Sequence, residues 1–122
     1  MVDALAEIID LLTPWSGVSV WRGQLPKGFT NTGPAVVVTV NGDDHSVSSA
    51  TRRVVFQFRV YGGSEKATDA ASAYNALADR LSAASGGRIL SVGELSGQEL
   101  PADPVTGWPG YMLRAVARLS EE

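Results

Sequence analysis

The sequence predicts an α+β fold. It is a single twisted, mainly antiparallel sheet of four to five strands with two helices packed on one face, in the order α-β-β-β-α-β-β. Two stretches alternate apolar and polar residues with the period of a half-buried strand. These are Val54, Phe56, Phe58 and Val60 in "RRVVFQFRVYG", and Leu113, Ala115, Ala117 and Leu119 in "YMLRAVARLS". Two other stretches repeat apolar residues at helical spacing. The length of 122 residues suits one domain spanning 1–122, and 44% hydrophobic with 19% charged residues supports a packed core rather than disorder.

Residues 2–12 read as the first helix. Leu5, Ile8, Ile9 and Leu12 form the apolar stripe, with acids on the other side and near the positive helix start. Thr13-Pro14 ends it, because the residue before proline avoids helical geometry. "GVSVWR" (17–22) is a short strand, and "GQLPKGFTNTGP" (23–34) is a long loop punctuated by glycine and proline. "AVVVTVN" (35–41) is a strand of β-branched residues. "GDDHSVSSAT" (42–51) is polar, with the composition of a mobile connection, as is 23–34. The strand beginning "RRVVFQ" then pairs antiparallel with 35–41.

Ser64 is placed to cap the second helix. Its stripe is Ala67, Ala70, Ala71, Tyr74, Leu77, Ala78 and Leu81, and the alanines let the helix lie close to the sheet. Gly86-Gly87 supplies a left-handed stop. "RILSV" (88–92) is a short strand. The turn-rich segment 93–110 has room for another, and 111–120 closes the pattern as a strand. The helices are expected over Phe56, Phe58, Leu113 and Leu119. The opposite face then carries Arg53, Arg59, Arg114 and Arg118.

The charge balance is −3 and cysteine is absent. The first argues against a nucleic-acid binder held by bulk charge. The second removes disulfides, a thiol nucleophile and thiolate metal sites, and fits a cytosolic compartment. No apolar run approaches the ~18 residues of a membrane span. The start, "MVDALAEIIDLLTPW", lacks the basic opening and uncharged middle of a secretory signal.

Catalytic chemistry finds little footing. The single histidine, His45, stands beside Asp43 and Asp44, the only cluster resembling metal ligands. Three adjacent loop side chains do not converge on one ion unaided, and a solvated hairpin loop is the plainer reading. There is no G-x-S-x-G turn, no phosphate-cradling GK[ST] loop and no G-x-G-x-x-G. "YGGSEK" puts two glycines before a helix, either an anion cradle or a tight turn. Glu94 and Glu99 offer a carboxylate pair with nothing to fix its geometry. No catalytic residue, metal ligand or cofactor is expected. Trp15 and Trp108, beside prolines, are candidates for packing at the sheet ends or for interface anchors. Arg53, Arg59, Arg114 and Arg118 are either a solvated face or a face with a partner, neighbouring carboxylates or phosphates, since adjacent like charges repel.

The order of these elements resembles the phage tail terminator, or tail completion, family of long-tailed phages. The resemblance rests on Pro34, Val36 and Val38, then the strand from Arg52 through "FQFRVYG", and then helix positions Ala67, Ala70, Ala73, Leu77 and Leu81. The closing strand "GYMLRAVARLS" fits too. The resemblance implies a non-enzymatic structural protein of the virion. It would form a homo-oligomeric ring, a hexamer in the family, that caps the tail tube and joins it to the head connector. The implied partners are its own copies, the tail tube protein and the head-tail connector protein. Passing DNA would meet the arginines only through its phosphates, without sequence preference, and no membrane is involved. The implied places are the tail or neck of the virion and, during assembly, the host cytoplasm. Another head-tail joining or minor capsid protein is the alternative, followed by a small ligand-binding or enzymatic α+β domain with 42–51 as a lid over His45.

Overall fold

A computed structural model of the chain describes residues 2–25, 33–45, 51–102 and 107–121. Its elements are α1 (Ala4–Leu12), β1 (Ser19–Arg22), β2 (Ala35–His45), β3 (Thr51–Tyr61), α2 (Ala67–Ser82), β4 (Ile89–Leu100) and β5 (Gly110–Ser120). The elements follow the predicted α-β-β-β-α-β-β order, and the five strands form one mixed sheet in the spatial order β1-β2-β3-β5-β4. Every neighbouring pair is antiparallel except β1 and β2, which run parallel.

Both helices lie on one side of the sheet. Ala4, Ile8 and Leu12 of α1 join Ala73, Leu77 and Leu81 of α2 in one cluster with Val36, Val38, Val54, Phe56, Phe58, Val60, Leu113 and Leu119. Within each strand these residues lie on the face that the alternation predicts to be buried, and on the other face Val37, Val55 and Tyr61 are buried as well. The Phe56 and Phe58 rings stand 6.1 Å apart beneath the helices. Alanine at positions 70 and 73 lets α2 settle directly on β3 and β5.

Local chemistry explains the element ends. Asp3 caps α1, its carboxylate accepting from the Ala6 amide at 3.2 Å, and Thr13 leaves the helix with extended geometry ahead of Pro14. Ser64 does not cap α2. The helix starts two residues later than that expectation, with Lys66 at the cap position and no side-chain cap. The Ser64 hydroxyl instead accepts from the Lys66 amide at 3.1 Å and donates to Asp69 at 2.6 Å. The helix also stops before the paired glycines, at Ala83, and Gly86-Gly87 make the turn into β4, where Gly86 bridges Ile89. The stripe is rotated slightly from the expected one: Ala73 is buried, whereas Ala67 is exposed and Ala71 only half-buried.

Two strands are longer than the sequence suggests. β2 continues through Gly42, Asp43, Asp44 and His45, read above as loop, because a bulge between Val40 and Gly42 resets its register on β3. β4 takes up much of the segment read as turns. Irregularities between Ile89 and Ser91 and between Gly93 and Ser96 absorb the glycine and Glu94, which has φ 51°, and pairing to β5 then resumes. The expected loops 23–34 and 42–51 fall largely on residues 26–32 and 46–50, outside the described residues.

Candidate functional site

The open face of the sheet collects the four arginines. Odd-numbered positions of β3 and even-numbered positions of β5 point away from the helices. Cross-strand pairing sets Arg53 opposite Arg118, Gln57 opposite Arg114 and Arg59 opposite Met112. On β4, Ser91 stands beside Arg118 and Ser96 beside Arg114; on β2, Thr39 stands beside Gln57. Arginines and small hydrogen-bonding side chains alternate there with apolar residues: Val37, Val55, Met112 and Val116 share the face, and Val37 and Val55 are buried.

The arginines are not equivalent. The half-buried Arg59 donates to the Gly23 carbonyl at 3.1 Å, which ties the segment after β1 across this face. Arg53, Arg114 and Arg118 are exposed, and among the described residues none of them forms an ion pair. In the β2–β3 ladder the backbone partner of Arg53 is Asp44. Two like charges directly opposed on neighbouring strands cost free energy in the isolated chain.

A fifth arginine, Arg52, has the other parity and a different role. It is only 4% exposed. Its Nε and Nη2 grip Asp43 at 2.7 and 3.0 Å in a two-pronged fork, and its Nη1 donates to the Val2 carbonyl at 2.7 Å and to the Glu121 carboxylate. Glu121 also accepts from the Val2 amide at 3.2 Å. One guanidinium therefore joins the segment before α1, the far end of β2 and the segment after β5. The hydrogen bond to Asp43 raises the Arg52 pKa further, against the effect of burial and with a smaller contribution from Glu121. Arg52 in turn holds the Glu121 carboxyl below the usual glutamate range, with the Val2 amide adding to the effect. Sequence reasoning missed this clamp, although parity carried the signal: Arg52 shares a face with Val54, Phe56 and Phe58. The same clamp uses Asp43, removing it from the expected Asp43–Asp44–His45 loop cluster; the side chains of Asp44 and His45 lie outside the described residues.

The "YGGSEK" turn forms one wall of an open cleft of about 450 Å³, lined by Trp15, Gly33, Pro34, Gly63, Ser64 and Asp69 among others. Gly63 has φ +79°, and a Cβ there would lie 2.0 Å from the Gly33 carbonyl oxygen, so the turn requires glycine. An anion would compete here with the Asp69 carboxylate, which already sits in the first turn of α2. Trp15 is half-buried against the core, with the Arg80 guanidinium 4.7 Å from its ring centroid, and Trp108 is half-buried just before β5. Glu94 sits in the irregular part of β4, whereas Glu99 pairs with Tyr111 on the helix side. Among the described residues, no group of histidines, cysteines or carboxylates is arranged to hold a metal, and no helix is long and apolar enough to cross a membrane.

No protein-family model and no curated protein matches the chain.

Proposed function

We propose that this chain is a structural virion protein of the tail terminator or tail completion kind, forming a ring that caps the tail tube and joins it to the head connector. The observation that carries the reading is the two-sided sheet. One face is sealed by two helices, and the other presents Arg53, Arg114 and Arg118, with Arg53 directly opposite Arg118. Such a face is under electrostatic stress when bare and relieved by an anionic partner. The order of elements and the amphipathic marks from Pro34 to Leu81 support the same reading.

In this role the protein does no bond-making chemistry. The helix-backed sheet is a rigid plate, and the work is done by its surfaces: self-association, contact with the tail tube protein, and contact with the head connector. The arginines act through charge. Contact with phosphate would carry no sequence information, as suits a conduit. The protein acts in the tail or neck of the particle after assembly in the host cytoplasm.

Deleting the gene from the phage that carries it tests the role. The expected outcome is full heads and tails that fail to join, with tails of irregular length. Tails of uniform length that fail to join would point instead to another head-tail joining protein. Normal infectious particles would contradict both.

A further inference from the structure

We infer that the arginine-bearing face of one copy docks on the helix layer of the next copy. The inference rests on the ring reading above and supplies its interface. The sheet separates charge within one molecule. Arg53, Arg59, Arg114 and Arg118 stand on its open side. On its covered side the helices carry Glu7 and Asp10 in α1 and Asp69 and Asp79 in α2, whereas Asp3 at the α1 cap is already ion-paired with Arg22 at 3.0 Å. Among the described residues, α2 and its cap carry the cations Arg80 and Lys66, and Arg22 reaches the α1 cap. Arg80 is committed to the Trp15 ring and to the Leu12 carbonyl at 3.1 Å, the bond where the two helix ends meet. Asp10 and Asp79 are exposed, and among the described residues neither forms an ion pair.

Each copy thus offers a positive plate and a negative helix layer, on opposite sides. The two surfaces are unlike, so the contact is head-to-tail: each copy uses both, and the chain of contacts closes into a ring when the rotation per step permits. A duplex is a poorer occupant. The molecule as a whole carries a charge of −3, so a polyanion attracted by the arginines is repelled by the rest. A second copy can meet the plate with the exposed Asp10 and Asp79 of its helices. Contacts of this kind weaken as salt shortens the screening length from ~10 Å at 0.1 M to ~3 Å at 1 M.

Two double variants test the interface: Arg114→Glu with Arg118→Glu on the sheet, and Asp10→Arg with Asp79→Arg on the helices. All four positions are exposed, so the folded monomer should persist, and circular dichroism checks it. Sedimentation velocity at low salt should show an oligomer for the wild type and its loss for each variant alone. An equal mixture of the two variants should restore it, because the reversed sheet then meets the reversed helices. A wild-type oligomer unaffected by either variant, or a mixture that stays monomeric, overturns the interface and leaves the ring reading standing. A wild type that stays monomeric throughout overturns both. If the sheet variant assembles normally but no longer retains duplex DNA, phosphate is the true occupant and the inference fails. Should a double variant not fold, Arg118→Gln alone with a salt titration decides: assembly of the wild type falling with salt, and weakened in the variant, supports the interface, and salt-insensitive assembly overturns it.

Discussion

Arg53 of β3 and Arg118 of β5 face each other across the open side of the sheet, paired residue to residue in the antiparallel ladder. Ordinary sheet design places opposite charges or hydrogen-bonding partners at such a pair, since like charges directly opposed are destabilising. A strained pair on the open face, above a well-packed core, locates the stress where a partner can relieve it.

Arg118→Gln should therefore stabilise the isolated subunit, by about 0.2 to 1 kcal/mol, while weakening assembly. Urea unfolding of dilute protein measures the first effect. A loss of stability of that size would mean that Arg118 already has an anionic partner within the chain.

Arg52→Ala should behave in the opposite way. It removes a buried cation from Asp43, Glu121 and the Val2 carbonyl together. Breaking a buried pair costs on the order of 3 kcal/mol or more, here moderated because both carboxylates keep some contact with water. Arg52→Lys should recover only part of the loss, because an ammonium cannot reproduce the fork on Asp43. Denaturant midpoints of the two variants check this, and an unchanged midpoint in Arg52→Ala would discard the clamp.

The clamp also sets a pH dependence. The Glu121 carboxyl is held below its ordinary range in the folded chain, first by Arg52 and then by the Val2 amide. A carboxyl with a depressed folded pKa contributes stability that is fully present above its unfolded pKa and is lost as pH falls through the folded value. Asp3, lowered chiefly by its hydrogen bond with Arg22, has the same sign. Thermal midpoints should thus fall as the solution passes below the usual carboxylate range, and Glu121→Gln should flatten that fall. Identical acid limbs in the two proteins would show that Glu121 does not set the pH dependence.

Phe58→Ala tests the core. The ring is fully buried between Phe56 and the helices, and its removal should cost roughly 3 to 5 kcal/mol. A cost under about 1 kcal/mol, in the range of surface changes, would mean that β3 presents its other face to the helices.

Gly63→Ala should destabilise by more than about 1 kcal/mol. It combines a positive φ with a Cβ driven into the Gly33 carbonyl. A neutral result by thermal unfolding would show that the turn between β3 and α2 can rearrange.

What could be read from the sequence was periodicity. Val54, Phe56, Phe58 and Val60 against Arg53, Gln57 and Arg59 settle which side of β3 is buried, and the parity of Leu113 to Leu119 does the same for β5. The arginine face follows from those two strands alone. Long-range pairing was not legible. The parallel contact of β1 with β2 depends on partners distant in sequence. β4 hides its length behind Gly93 and Glu94, because a bulge breaks the alternation that marks a strand. Arg52 was hidden by its residue type: an arginine at a core-facing position reads as surface until Asp43 and Glu121 are seen around it.

Native mass spectrometry of the purified wild-type protein, across a range of protein concentration at low salt, tests the ring most directly. The expected result is a single closed oligomer, a hexamer, that replaces the monomer without a ladder of larger species and recedes as salt is raised. A monomer at every concentration, or an open-ended ladder with no preferred size, would contradict it.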